Sequence, residues 1–228
     1  MDAADVAIRS IEAVGPDTVA VDLETPAGFD AQPGQFVKLT ATVEGEHVTR
    51  FYTLSSPDVG ETFELTIGID PDGTLGPWIE AAEGEQVRIE GPYGTAYYED
   101  EPASLILAGG PGIGPAVGIG ERALADGNDV AIVYRDDDPV HEDRLDALVD
   151  QGVTVIVTAD PVDATVHEHH TGDEQVFVYG FQAFVTEALE ALWTENRSES
   201  YYRTGIAGED RARSVNRLAT VFTGRSST

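Results

Sequence analysis

The run Leu105-Ile-Leu-Ala-Gly-Gly-Pro-Gly-Ile-Gly-Pro115 constrains the fold more than any other stretch of this chain. An apolar, strand-like segment opens directly into a glycine-rich turn, and the pattern predicts a helix over 115–125 behind it. Glycines let backbone N–H groups approach a phosphate closely, and the helix N-terminus that follows favours negative charge. Pro115 suits the first turn of a helix, where no N–H donor is needed. The run therefore predicts a strand–turn–helix unit that holds a nucleotide. Which nucleotide, and for what chemistry, has to come from the rest of the chain.

Length and charge narrow the field. The chain has 228 residues, room for one large domain or two smaller ones. It carries 42 acidic residues against 13 basic ones, a net charge of −29, and Lys38 is its one lysine. Acid excess with almost no lysine resembles the bias of proteins from salt-loving archaea. Dense carboxylates keep a protein hydrated when salt screens their mutual repulsion. The balance argues against nucleic acid as a partner, because a phosphate backbone needs cationic contacts. Residues 197–228 reverse the trend, with 3 acids and 6 arginines. That segment reads as lying against the acidic body, or as a surface for an anion or acidic partner.

There is no cysteine, so disulfides, thiolate nucleophiles and an internal cysteine-held iron–sulfur cluster are excluded. The start Met-Asp-Ala-Ala-Asp lacks the basic and apolar stretches of a signal peptide. The longest uncharged run, 103–120, holds six glycines and two prolines, and reads as a buried strand plus turn rather than a membrane span. A soluble, cytoplasmic protein is expected.

The first hundred residues read as short strands at 6–14, 18–25, 35–42, 48–54, 63–69 and 86–90, divided by Gly, Pro and Asp turns. Many short strands at this spacing predict an antiparallel barrel or sandwich, with one short helix at 77–82. From residue 103 the pattern alternates: strands at 104–108, 130–135, 153–158 and 176–179, helices at 115–125, 142–150 and 182–193. Such alternation implies a parallel sheet with helices on its faces. A further helix is possible over 210–220, and 201–207 is ambiguous.

Two more segments carry chemistry. In Arg50-Phe-Tyr-Thr-Leu-Ser-Ser-Pro57, strand alternation puts Arg50, Tyr52 and Leu54 on one face and Phe51 and Thr53 on the other. An arginine beside an aromatic at this spacing can pair with a pyrophosphate and cover a flat ring. In Gly73-Thr-Leu-Gly-Pro-Trp78, glycines ahead of a helix-start proline offer backbone donors to a second phosphate, or simply make a turn.

Taken in order, these pieces resemble the ferredoxin-NADP(H) reductase superfamily of flavoproteins over residues 5–195. The resemblance implies an N-terminal antiparallel β-barrel that binds FAD, residues 1–100, and a Rossmann-like α/β domain that binds NAD(P)H, residues 103–228. Arg50-Phe-Tyr-Thr53 looks like the Arg-x-Tyr-Ser/Thr flavin motif. By that likeness Arg50 binds the flavin pyrophosphate, Tyr52 packs on the isoalloxazine and Thr53 contacts flavin N5, with Leu54 and Ser55 continuing the segment. Tyr52 and Thr53 are then the residues at the reacting ring. Gly73, Thr74, Leu75 and Gly76 sit where the family has its Gly-x-x-Ser phosphate loop, and Gly91-Pro92-Tyr-Gly94 resembles its turn into the second domain. Gly109, Gly110, Gly112, Ile113 and Pro115 match the pyridine-nucleotide loop Gly-Gly-x-Gly-Ile-x-Pro. Tyr179, Gly180 and Phe181 fall where the family has Cys-Gly-Pro beside the nicotinamide.

The resemblance implies that a hydride passes from nicotinamide C4 to flavin N5 and that electrons go on to a separate acceptor, a ferredoxin or another small carrier. The cofactors carry that chemistry and the protein orients them. Two alternatives are an electron-transfer subunit of a larger dehydrogenase complex and a flavin-free regulatory relative. Gly76, Tyr179 and Phe181 depart from the family's serine, cysteine and proline, and no terminal aromatic shields the flavin as in plant-type members, although Phe222 lies nearby in sequence. These departures point to a bacterial or archaeal short reductase. Arg135 ends the second strand of the nucleotide domain but is followed by three aspartates, and Thr158-Ala-Asp160 ends the third. Acids there repel a 2′-phosphate and can hold a ribose hydroxyl, which tilts the choice toward NADH over NADPH. His167-Glu-His169-His170 reads as a solvated loop and not a metal site, and His47 and His141 as isolated.

Overall fold

The computed structural model describes residues 3–195, 203–204 and 217–218. Its first half is six antiparallel strands: β1 (Ala4–Gly15), β2 (Thr18–Glu24), β3 (Phe36–Val43), β4 (Glu46–Thr53), β5 (Thr62–Gly68) and β6 (Gln86–Tyr93). They lie in the order β4-β3-β6-β1-β2-β5. The β3–β4 hairpin turns through Glu44-Gly45, both at positive φ (52° and 87°), the two-residue geometry that matches strand twist. An antiparallel bridge between Leu54 and Leu65, with Ser55 N–H donating to Glu64 C=O at 2.9 Å, joins the two outer strands and closes the sheet into a barrel. Alternate residues fill it: Val21, Leu23, Val37, Leu39, Leu65, Ile67 and Ile89 are fully buried. A short helix, α1 (Leu75–Ile79), plugs the same core through Leu75 and Ile79, one turn apart.

The second half is a parallel sheet in the order β10-β7-β8-β9, from β7 (Ala103–Gly109), β8 (Asp129–Arg135), β9 (Thr154–Thr158) and β10 (Gln175–Tyr179). Helices α2 (Ile113–Asp126) and α3 (Glu142–Asp150) pack with Ile106, Ala108, Ile132 and Tyr134 on one face. Helices α4 (Asp163–His169) and α5 (Gln182–Glu195) pack with Leu105, Leu107, Val133 and Val178 on the other. Both faces are covered, which is why β7 and β10 read as unbroken apolar runs. A 3-10 turn at Gly110–Gly112 links β7 to α2. No helix among the described residues is long and apolar enough to cross a membrane.

The architecture is the expected antiparallel barrel followed by a parallel α/β sheet, with three local corrections. The short helix runs from Leu75 to Ile79 rather than over 77–82, because Leu75 and Ile79 are the pair that reaches the core. The histidine stretch read as a loop is largely helix α4. The helix considered over 210–220 is mostly outside the described residues. At its described positions, Arg217–Leu218 instead form a strand (β12) beside Arg203–Thr204 (β11), the latter within the ambiguous 201–207.

Candidate functional site

An open cleft of about 820 Å³ runs where the barrel meets the parallel sheet. Strand β4 supplies Arg50, Phe51 and Tyr52, and β5 supplies Thr66 and Gly68. The turn Gly73-Thr74-Leu75-Gly76 lines it from the barrel, and Pro111 and Phe181 line it from the α/β half. A second void, of about 10 Å³, shares Tyr52, Thr66 and Pro111 with the cleft and adds Thr53, Gly112, Pro115, Tyr179 and Gly180. It is close to the space one water fills.

Arg50 is the electrostatic outlier. Within residues 3–195 the lysine and the other arginines are held by carboxylates: Arg9 by Glu24, Lys38 by Glu90, Arg88 by Asp5, Arg122 by Asp58 and Asp126, Arg135 by Glu187, Arg144 by Glu64 and Glu121. Arg50 makes no such pair; its Nη1 donates to the neighbouring Thr49 C=O at 2.8 Å. Two residues on, burial pushes the Tyr52 phenol up to about 12, against the pull of Arg50 toward the ionised form, so Tyr52 stays neutral. The site thus offers an exposed guanidinium beside a flat, uncharged ring, in a chain otherwise crowded with carboxylates.

The structure brings together most, but not all, of the residues singled out from the sequence. Arg50, Tyr52, Gly73, Thr74, Leu75, Gly76 and Phe181 line the cleft, and Thr53, Gly112, Pro115, Tyr179 and Gly180 line the adjoining void. The others lie off it. Leu54 and Ser55 are fully buried where β4 runs on toward the second half. Gly109 packs under the ring of Phe184, and Ile113 sits in the core beneath α2. Arg135 is drawn sideways onto Glu187. Gly112 has a packing reason of its own: a Cβ there would meet Tyr179 C=O at 2.2 Å. The Tyr179 ring is wholly buried, and burial raises its phenol well above the usual range.

Sequence reasoning missed Thr66 and His141. His141 is buried, not isolated: its Nε2 lies 2.8 Å from Thr66 Oγ1, and its backbone N–H donates to Val14 C=O at 2.8 Å. Burial, with Arg144 nearby, lowers the imidazole to about 4. Both contacts join elements more than seventy residues apart, so no local signal announced them. Of the other histidines, His170 is taken by Glu174, with Nδ1 and Oε1 2.6 Å apart. Burial pushes the Glu174 carboxyl up, but hydrogen bonds from His170 and Thr171 outweigh it and hold the group at about 2.

Residues 5–98 match the family profile described as Oxidoreductase FAD-binding domain, and residues 154–223 match a domain of unknown function (DUF8154). The glycine betaine monooxygenase reductase subunit of Pseudomonas aeruginosa is 39% identical over 99 residues, 41% of this chain and 27% of that protein. NADH-cytochrome b5 reductase 1 of Eremothecium gossypii is 31% identical over 127 residues, 51% of this chain and 44% of that protein. The chain therefore spans under half the length of either relative. In three dimensions it is similar to the Amycolatopsis cytochrome P450 reductase GcoB, with a TM-score of 0.72, 24% identity, and coverage of 86% of this chain and 67% of that one. The last likeness is one of fold.

Proposed function

We propose that this chain is a cytoplasmic, FAD-dependent NAD(P)H oxidoreductase that delivers electrons to a separate acceptor, a ferredoxin or another small carrier. The observation that carries the reading is Arg50, a cation without a carboxylate partner among the described residues, facing a cleft wide enough for a dinucleotide. The match of residues 5–98 to an FAD-binding domain supports it. So do the two reductase relatives.

The residues present fit the group. Arg50 offers a two-pronged donor to a pyrophosphate. The first N–H groups of α1, which have no partner within the helix, border the same cleft at Thr74–Gly76. Neutral Tyr52 offers a face for a flat ring. When bound, the flavin supplies two-electron uptake from a nicotinamide and release to the acceptor. The chain's own work is to hold the two cofactors in register and to exclude water. Pro111, Gly112 and Gly180 of the nucleotide half line the same small void as Tyr52 and Thr53.

Among nicotinamides the reading favours NADH. Arg135 is already bound by Glu187, and the adjacent Asp136 accepts a hydrogen bond from Tyr134 at 3.1 Å. A 2′-phosphate would meet negative charge there, whereas ribose hydroxyls would find an acceptor. The net charge of −29 is taken as an adaptation to salt.

The test is spectroscopic and belongs in molar salt. The chain reconstituted with FAD is expected to be yellow and to bleach anaerobically with NADH, more readily than with NADPH. A chain that refuses added FAD overturns the proposal. Faster bleaching by NADPH overturns the nucleotide preference alone.

A further inference from the structure

The two halves of the cleft are joined by side chains that lie outside both cofactor motifs. His141 stands just before α3 in the α/β half and reaches Thr66 on β5 of the barrel, Nε2 to Oγ1, at 2.8 Å; both residues are buried. One turn along α3, Arg144 donates to Glu64 and to Glu121 at 2.7 Å and to Ser55 C=O at 2.8 Å. Helix α2 comes close enough for this because Gly114 and Gly118 have no side chains. A Cβ at Gly114 would lie 2.6 Å from Thr66 Oγ1, and one at Gly118 would lie 2.8 Å from Ser55 C=O.

The chemistry of the ring fixes the direction of the bond. Among the described residues, His141 Nδ1 is buried and meets no hydrogen-bond partner. A buried N–H without an acceptor is rarer and costlier than an unused lone pair, so the proton sits on Nε2 and Thr66 accepts it. Thr66 also lines the cleft, and Gly114 follows Pro111–Gly112, the loop that faces Tyr52, by two residues. The bond therefore lies beside the small void that Thr66 lines together with Tyr52, Thr53, Pro111 and Gly112.

We propose that His141 is a positioning residue: its hydrogen bond to Thr66 sets how closely the Pro111–Gly112 loop approaches Tyr52 and Thr53, and thereby the rate of electron passage between the two cofactors, without touching either. This rests on the two-cofactor reading above. Each half-site keeps its own ligand contacts when the bond is lost; what suffers is their mutual placement, to which transfer rates are steeply sensitive.

The test compares H141L, H141Q and T66V with the unmodified full-length protein. Glutamine keeps a donor near the position of Nε2; leucine removes it; T66V removes the acceptor. H141L is expected to bind FAD within about twofold of the unmodified chain and to keep its KM for NADH within about threefold. Anaerobic flavin bleaching at saturating NADH is expected to slow about tenfold or more, with H141Q restoring most of the rate. T66V should slow it to a similar extent, and the H141L/T66V double variant no further than either single change. Bleaching by H141L at the unmodified rate overturns the proposal. So does a loss of FAD affinity that parallels the loss of rate, since that is damage to one half-site. If H141L does not fold, the contrast between H141Q and T66V decides the matter in the same way. An unmodified chain that takes up no FAD overturns the cofactor reading itself, a result distinct from normal bleaching by all three variants.

Discussion

The turn at Gly73–Gly76 and the run at Gly109–Gly118 look alike in sequence, each a glycine-rich approach to a helix with a proline near its start. In the fold they differ. The first borders an open cleft beside an arginine that no carboxylate holds among the described residues. The second is packed nearly throughout: Gly112 against Tyr179 C=O, Gly114 against Thr66, Gly118 against Ser55 C=O. One glycine turn borders the cleft, and the other makes room for the protein's other half. A glycine-rich loop read from sequence as a phosphate cradle can thus owe part of its composition to domain docking.

That contrast can be tested by filling the glycines. The largest effect is expected from G118V, whose side chain meets Ser55 backbone at 2.8 Å with nothing flexible to yield. A loss of about 3 kcal/mol, the upper end for overpacking, is expected in denaturant unfolding. An unchanged midpoint would mean that the α2 face is looser than the geometry says.

The same interface should be sensitive to acid. The His141 imidazole titrates at 6.5 in its ordinary state and at about 4 in the fold, so the unfolded chain binds its proton first as the pH falls. The resulting stability is fully present above pH 6.5 and is lost between 6.5 and about 4, about 3 kcal/mol in all. H141Q should flatten that part of the stability–pH curve relative to the unmodified chain. Carboxylates titrate in both proteins, so the difference between the two curves isolates the histidine.

On the open side, R50Q should leave unfolding almost unchanged, because Arg50 is exposed and its one hydrogen bond among the described residues goes to the neighbouring Thr49 C=O. It should weaken FAD binding by about 2 kcal/mol, roughly thirtyfold, the worth of a charged hydrogen bond. Flavin fluorescence titration measures this directly. The smallest effect is expected from G76A. Its Cβ would come to 3.0 Å from Asp70 N, tight but not prohibitive. Stability should fall by less than about 1 kcal/mol, while FAD binding weakens measurably. If G76A destabilised the chain as much as G118V, the distinction between the two turns would collapse.

Much of the architecture was legible because strongly patterned segments report their own surroundings. The predicted strand at 18–25 is β2 at Thr18–Glu24, and the predicted helix over 142–150 coincides with α3. Helix α4 escaped because it spans seven residues and buries only Val166 within them, which leaves no apolar stripe to see. The site was legible in the same partial way. Arg50, Tyr52 and the Gly73–Gly76 turn announce themselves as residue types at a spacing. Ser55, in the segment that follows Arg50 and Tyr52, and Ile113, in the Gly109–Pro115 run, are turned into the interior.

By itself the sequence determined most of the order of elements, the barrel-then-sheet architecture and the motifs that supply much of the cleft lining. Those follow from periodicity, turn residues and short-range chemistry, which act within a few positions along the chain. Only the tertiary structure decided that Arg135 is occupied by Glu187 while Arg50 is not, and that His141 is bound to Thr66 across 75 positions of chain. Pairing of charges and burial of polar groups depend on which surfaces meet, and those meetings are fixed when the two halves dock.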